Sequence, residues 1–283
     1  MKKKLLAIFV SALILGLTAC GSNGADSGNT AQADSEVATV TKGKLTVATS
    51  PDFAPYEFYS VDASGTPSLA GFDIALAQYI ADYMGLELEI VPVDFDGVLM
   101  ELQTKSVDIG LAGLSPDPKR ESIMDFSDIY YEGTQAFVCT QANKDKFNSL
   151  ADVNSSDLEI GAQTGSIQVD LAQANSPDAD IIQLTKVTDI VAELLSGKLD
   201  GAYIETPVAQ SYSKNYPDLC VALEVPYEGA EGSAVGVSKG NEALLKKVNE
   251  AIKSAIDSGK MDEFVAKANE QASGEIIEGL LDN

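Results

Sequence analysis

Residues 71–114 read GFDIALAQYIADYMGLELEIVPVDFDGVLMELQTKSVDIGLAGL. Apolar residues recur at helical spacing through 71–84 until Gly85 ends the helix, and LELEIVPV (86–93) alternates as a strand does. The following segments predict a helix over GVLMELQTKS and an apolar strand over VDIGLAGL. Together with a buried strand predicted at Lys44–Thr49, this β-α-β-α-β succession predicts an α/β fold with a mostly parallel sheet covered by helices.

The same alternation begins again at residue 158 and predicts a second α/β lobe. Its predicted strands are LEIGAQTG (158–165), DIIQLT and LDGAYIE, and its predicted helices cover 166–174 and 188–197. After these come two further strands, VALEVPY and SAVGVSK, and two helices over 241–258 and 260–271.

The two lobes contain a short internal echo. Residues 102–108 and 194–200 share a helix end, a polar turn and an Asp that enters a strand. The strand ends near Gly113 to Ser115 and near Glu205 are therefore expected at equivalent places in the two lobes. Because ligands of open α/β sheets bind beyond the carboxyl ends of the strands, a cleft between the lobes is the predicted binding site.

The N-terminus carries an export signal. Three Lys residues (2–4) precede an apolar stretch over 5–17 that is too short to span a bilayer comfortably. The sequence LTAC (17–20) followed by Gly resembles a bacterial lipobox, in which Cys20 would be lipidated after removal of residues 1–19. The alternative is an ordinary secretory signal with Cys20 retained by chance. Residues 20–43 are rich in small polar residues and predict a flexible tether, which places the body at the extracytoplasmic face of the cell membrane.

Composition excludes several classes of function. The formal charge of −24 repels phosphate backbones, so no nucleic acid partner is expected. With no His and no Trp, Ser-His-Asp triads and His-ligated metal sites are unavailable. We predict no metal and no cofactor. Eighteen of the nineteen basic residues are Lys, and the single Arg is Arg120.

Six segments together resemble a known family: the solute-binding proteins of polar amino acid ABC transporters, also called bacterial extracellular solute-binding proteins of family 3. The segments are SPDFAPY (50–56), GFDIALA (71–77), VDFDGVLMELQ (93–103), VDIGLAGLSPDPKRESIMDFSDIYY (107–131), IGAQTGSIQ (160–168) and LLSGKLDGAYIETPVA (194–209).

The resemblance implies a two-lobed, periplasmic-binding-protein-like (type II) fold with hinge strands between the lobes. It implies a protein that closes on a free amino acid and delivers it to an ABC permease. We expect the first lobe to comprise 44–138 and 230–283, the second lobe to comprise 139–229, and the protein to be a monomer.

Arg120 is the predicted ligand for the amino acid carboxylate. A planar guanidinium can hold a carboxylate with two parallel hydrogen bonds, which a Lys ammonium cannot do. The family also places its carboxylate-binding Arg at this position. The alternative is a surface Arg paired with Glu121 or Asp125.

Backbone groups are expected to complete the carboxylate site. Gly113 permits close approach of the chain, and Ser115 can offer a hydroxyl and an amide. In the second lobe, Ser166 and Ile167 begin a helix whose free N–H groups favour an anion. Ser166 as a simple N-cap is an alternative that is compatible with this role.

The resemblance assigns the remaining ligand contacts. Glu205 matches the family's acidic position for the ammonium, with a surface Glu as the alternative. Phe53 and Phe95 fall where the family sandwiches the substrate side chain, and both could equally be core residues. Ser50 and Gln163 match positions that can hydrogen bond to that side chain.

The identity of the amino acid stays open. Binders of basic amino acids in this family often carry Asp where this chain has Ser50, so a neutral amino acid is favoured. Three nearby acids, Asp52, Asp94 and Asp96, keep a basic amino acid possible.

Two other questions stay open. Cys139 and Cys220 are equally compatible with a disulfide and with two buried thiols. Two other functions compete with the transporter role: a dehydratase-like enzyme acting on a prephenate-type acid, with Glu205 as its acid, and an extracellular sensor or adhesin.

Overall fold

The computed structural model describes residues 37–61, 65–227, 229 and 232–273. In chain order its strands are β1 Lys44–Thr49, β2 Asp52–Phe53, β3 Glu57–Val61, β4 Pro67–Ala70, β5 Glu87–Pro92, β6 Ile109–Gly110, β7 Met124–Tyr131, β8 Gln135–Thr140, β9 Glu159–Gln163, β10 Asp180–Leu184, β11 Gly201–Glu205, β12 Leu219–Val225 and β13 Ser233–Ser238. Its α-helices are α1 Phe72–Met84, α2 Phe95–Thr104, α3 Ile167–Asn175, α4 Val187–Ser196, α5 Thr206–Asn215, α6 Glu242–Asp257 and α7 Lys260–Ala272. A 3₁₀ helix covers Gln141–Lys146.

Two five-stranded sheets form the two lobes, which confirms the predicted fold class. The first sheet has the order β5-β1-β6-β13-β7, and the second has the order β10-β9-β11-β8-β12. In each sheet three strands run parallel, and the remaining two are antiparallel to their neighbours. A small antiparallel sheet of β2, β3 and β4 was not predicted.

The internal echo has a structural counterpart. Asp108 leads into β6 and Asp200 leads into β11, and each of these strands is third in its sheet, beside a parallel neighbour. The segments after β6 and β11 therefore leave equivalent strand ends. These are the places at which the ligand cleft was predicted.

The chain crosses between the sheets twice, from β7 to β8 and from β12 to β13. Strand β8 already belongs to the second sheet at Gln135, whereas the prediction began the second lobe at 139. The difference arises because Gln135–Val138 pairs with β11 and β12.

Helix α1 shows how the sequence places its elements. Phe72, Leu76 and Ile80 are buried on one face at helical spacing. Gly71 precedes the helix with φ +113, and a Cβ there would lie 2.0 Å from the Tyr56 carbonyl oxygen, so only glycine fits.

Two local features differ from the prediction. The apolar strand expected over 107–114 is limited to β6, because Gly113 adopts φ +54 and its N–H leaves the ladder to donate to Asp73. Helix α5, which follows Glu205, was not predicted. Pro207 lies in the first turn of this helix, where a missing N–H is tolerated.

The remaining predictions are placed as follows. The other predicted strands and helices agree with the structure within about two residues. The predicted signal and the predicted lipidation site Cys20 lie outside the described residues, as does most of the tether.

Cys139 and Cys220 face each other on β8 and β12 as buried free thiols, with their Sγ atoms 3.9 Å apart. Of the helices in the described ranges, none has the length and apolar character of a membrane span.

Candidate ligand-binding site

Arg120 is a buried cation between the lobes, with 8% of its surface exposed. Its Nη1 donates to the Ser115 carbonyl in the first lobe, and its Nη2 donates to the Gly165 carbonyl in the second, each at 3.1 Å. The guanidinium carbon lies 5.5 Å from the centroid of the Phe95 ring. Burial lowers the pKa of the guanidinium. Among the described residues no carboxylate lies within ion-pair distance, and Asp117 and Asp170 favour the charged guanidinium only from farther away.

The predicted alternative of a surface arginine is wrong. Arg120 lies in a turn directly before β7, and its side chain is directed into the protein. Of the two proposed partners, Asp125 pairs with Lys239 at 2.5 Å, and Glu121 is exposed.

Glu205 is a buried acid at the carboxyl end of β11, with 2% of its surface exposed. Its Oε1 accepts a 2.6 Å hydrogen bond from the Tyr56 hydroxyl of the first lobe. Burial raises the pKa of Glu205 to about 8, and the nearby charge of Asp73 adds to this. No Lys or Arg of the described residues pairs with it. Glu205 is therefore not the surface residue of the alternative.

Ser50 and Gln163 meet through Asp52, one of the three nearby acids that kept a basic amino acid possible. One Asp52 oxygen accepts from Ser50 Oγ at 2.8 Å. The other accepts from Gln163 Nε2 at 3.1 Å and from the backbone N–H of Val187, at the start of α4, at 2.6 Å. Burial raises the pKa of Asp52 to about 6. The signal that could have found Asp52 is an acid inside the mostly apolar segment SPDFAPY.

The start of α3 leaves backbone donors free of side-chain caps. Ser166 occupies the N-cap position, but its hydroxyl donates back to the Gln163 carbonyl at 2.7 Å. The structure shows no side-chain cap for the first turn, which begins at Ile167, in the part of the chain that it describes. These N–H groups, with the positive end of the helix dipole, form the kind of site that favours an anion.

Gly113 and Phe53 pack tightly beneath the cleft. A Cβ at Gly113 would lie 2.7 Å from the Phe53 ring, so the close approach requires glycine. Ser115 contacts Arg120 through its carbonyl, and the contact of its hydroxyl and amide with the ligand carboxylate stays a prediction. Phe53 and Phe95 are both nine-tenths buried and belong to apolar clusters, so each ring also serves the core.

All ten predicted ligand-binding residues are buried. Ser50 and Gln163 are linked through Asp52. Direct contacts join Phe53 with Gly113, and Arg120 with Ser115 and Phe95. Ile167 is related to these residues only by its position as the first residue of α3. Glu205 reaches the group through Tyr56, whose ring centroid lies 5.4 Å from that of Phe53.

Two sheets of matching order, with a buried guanidinium and a buried carboxyl that form no ion pair with a described residue, define a two-lobed ligand-binding protein. Residues 45–271 match the model of a family described as bacterial extracellular solute-binding proteins, family 3, and the chain belongs to that family.

Named relatives agree with this membership. The chain is 34% identical over 274 residues to the arginine-binding extracellular protein ArtP of Bacillus subtilis, covering 94% of this chain and 98% of the relative. Among solved structures it is similar to the amino acid ABC transporter substrate-binding protein AbpA of Streptococcus pneumoniae bound to L-arginine (32% identity, TM-score 0.78, 83% of this chain and 98% of that one). It is also similar to AncCDT-1, an ancestral amino acid-binding protein and precursor of cyclohexadienyl dehydratase (31% identity, TM-score 0.71, 80% and 95% covered).

Proposed function

We propose that this protein binds one free amino acid between its lobes and delivers it to the permease of an ABC transporter. The observation that carries the proposal is a buried guanidinium, Arg120, and a buried carboxyl, Glu205, neither of which forms an ion pair with a described residue. Burying a cation without an ion-pair partner is unfavourable, and burial keeps Glu205 mostly protonated until a cation beside it favours the ionised form, so the two groups fit a ligand that supplies both an anion and a cation. An amino acid does so with its carboxylate and its ammonium.

The binding mode follows from the donors and acceptors present. The amino acid carboxylate binds the Arg120 guanidinium, which still has N–H donors beyond the two given to carbonyls. The backbone N–H groups at the start of α3 assist it. The ammonium binds Glu205, and the side chain lies against Phe53 and Phe95 near Asp52.

The side chain of the amino acid is proposed to be cationic, which replaces the neutral preference of the sequence analysis. Both oxygens of Asp52 accept hydrogen bonds. The three donors are the Ser50 hydroxyl, the Gln163 side-chain amide and the Val187 backbone N–H, and none of them carries a full positive charge. A guanidinium or ammonium of the ligand would supply it, and two phenyl rings favour a planar cation. Two of the similar proteins, ArtP and AbpA, are an arginine-binding protein and an arginine complex by name. L-Arginine is therefore the first candidate.

A thermal-shift series tests this proposal. We expect the largest rise in melting temperature with L-arginine, smaller rises with L-lysine and L-ornithine, and little effect of L-citrulline, the neutral analogue of arginine. A ligand at a hundred times its dissociation constant adds about 2.7 kcal/mol of apparent stability. A larger shift with citrulline or another neutral amino acid would contradict the cationic preference, and no shift with any amino acid would contradict the proposed function.

Binding rather than catalysis is the proposed role. Glu205 is the acid that a dehydratase would need, and its described partner is the Tyr56 hydroxyl, which donates to it. The named relatives are what favours binding. ArtP and AbpA are named as binding proteins, and AncCDT-1, although a precursor of an enzyme, is itself named as one. We propose that the protein acts as a monomer.

The protein is also proposed to be a lipoprotein held at the outer face of the cell membrane through Cys20. Cys20→Ser is expected to move the protein from the membrane fraction to the soluble fraction, because each acyl methylene contributes about 0.8 kcal/mol of membrane affinity. Immunoblotting of fractionated cells checks this, and Cys139→Ser is the matched control. A Cys20→Ser protein that stays with the membranes would contradict the anchor.

A further inference from the structure

A buried pair of acids lies beneath residues 113–115, the segment that we expect to bind the ligand carboxylate. Glu57 begins β3 and Asp73 lies in the first turn of α1, and both are completely buried. The backbones of the two segments are joined, because the Asp73 N–H donates to the Tyr56 carbonyl at 2.9 Å. Gly71 would carry a Cβ only 2.9 Å from the Glu57 Cα, so the two segments are packed as closely as glycine allows.

The oxygens of this pair are short of donors. Oδ2 of Asp73 accepts from the Gly113 N–H at 3.1 Å and from the Tyr130 hydroxyl at 2.9 Å. Its Oδ1 and both oxygens of Glu57 find no N–H or O–H donor among the described residues. A buried acceptor without a donor is destabilising by roughly 1–3 kcal/mol, so three at one place need an explanation.

The two carboxyls are neighbours, because Glu57 directly follows Tyr56, whose carbonyl accepts from the Asp73 N–H. Burial raises the pKa of Glu57, and the charge of Asp73 and a hydrogen bond between the two side chains add to this. Two carboxylates cannot form that bond, because each is only an acceptor, whereas a carboxylic acid beside a carboxylate can. The charged groups that act on Glu57 are Asp73, Asp52 and Glu205, and all of them oppose its ionisation. Glu57 is therefore the member that keeps a proton, and Asp73, with donors from Gly113 and Tyr130, is the member that ionises.

We propose that Glu57 and Asp73 share one proton and act as a positioning pair for the ligand-binding segment 113–115. The protonated Glu57 carboxyl donates to Asp73 and leaves Asp73 an anion that holds the Gly113 N–H. This contact fixes the left-handed turn at Gly113. The conformation of this turn then places the Ser115 carbonyl against Arg120. The positioning role rests on the proposed function, whereas the shared proton does not.

Near-isosteric substitutions separate the donor from the shape. Glu57→Gln keeps a donor towards Asp73, and Glu57→Leu keeps the volume but removes the donor. We expect Glu57→Gln to bind L-arginine within about twofold of the wild type and Glu57→Leu to bind about tenfold more weakly, a loss of about 1.4 kcal/mol. Asp108→Asn is the control, because Asp108 is a buried acid of the same lobe that accepts from the N–H groups of Val40 and Thr46. It is expected to change stability and leave affinity unchanged.

Infrared spectroscopy reports the proton without any ligand. The wild type at neutral pH is expected to show the carbonyl band of a protonated carboxylic acid that Glu57→Gln lacks, and Glu205→Gln identifies any band from Glu205. Equal spectra of wild type and Glu57→Gln would overturn the shared proton. Wild-type affinity in Glu57→Leu, or equal losses in the Gln and Leu variants, would overturn the positioning role. A Glu57 band in a protein that binds no amino acid would refute the proposed function and retain the proton pair.

Discussion

Arg120→Ala is expected to weaken amino acid binding at least about a hundredfold, which corresponds to about 2.7 kcal/mol. The substitution removes the only buried guanidinium of the chain and with it the planar pair of donors for the ligand carboxylate. The ligand carboxylate would then be buried against backbone donors alone. Isothermal titration calorimetry with L-arginine measures the loss.

The fold should survive this substitution. In the ligand-free protein the buried Arg120 forms no ion pair with a described residue, so its removal relieves an unfavourable desolvation. What is lost is the pair of hydrogen bonds to Ser115 and Gly165, which together contribute on the order of 1–3 kcal/mol. Thermal unfolding without ligand is therefore expected to change little.

Arg120→Lys is the matched control for charge. It keeps a cation but offers a compact ammonium instead of a fork, so it should recover part of the affinity and fall clearly short of the wild type. Calorimetry that found the Ala variant as tight as the wild type would show that the carboxylate binds elsewhere. A Lys variant equal to the wild type would show that charge alone matters.

The α/β framework could be predicted from the sequence because its cues are local. Apolar periodicity and helix-ending glycines such as Gly85 define α1 and its neighbours in both lobes. The small β2-β3-β4 sheet and the start of β8 could not be predicted in this way, because pairing between strands is decided by the tertiary fold. Helix α5 could not be predicted from Pro207, since a proline can end a strand and also begin a helix.

The candidate site also contains some residues that could be predicted from the sequence and others that could not. Arg120 and Glu205 could be named because their chemistry and the resemblance agree, and the structure buries both. Asp52, Glu57 and Asp73 could not be identified as a buried group of acids, since a carboxylate in a sequence ordinarily indicates an exposed residue. Only the fold shows that these acids have no cationic partner among the described residues.

Glu205 is expected to make amino acid binding release a proton. Its pKa of about 8 means that the ligand-free protein holds this carboxyl mostly protonated at pH 7. An ammonium beside Glu205 favours the ionised form, so binding drives the proton off. Because the ligand selects the ionised form, affinity should rise with pH by about tenfold per pH unit below the pKa and level off above it.

Glu205→Gln removes both the charge and the titration. We expect the variant to bind L-arginine at least about tenfold more weakly than the wild type at pH 7.5, because a neutral amide replaces a carboxylate opposite the ammonium. Its affinity should be nearly independent of pH between 6.5 and 7.5, a window that lies above the pKa of about 6 of Asp52. Calorimetry in buffers with different ionisation enthalpies should count about one proton released per ligand at pH 7 for the wild type and close to none for the variant.

Tyr56→Phe, which removes the hydroxyl that donates to Glu205, should keep the proton release. Without that donor the pKa of Glu205 is higher, so the carboxyl is still more strongly protonated before the ligand binds. Binding by the wild type without proton release would mean that the ammonium binds somewhere other than Glu205.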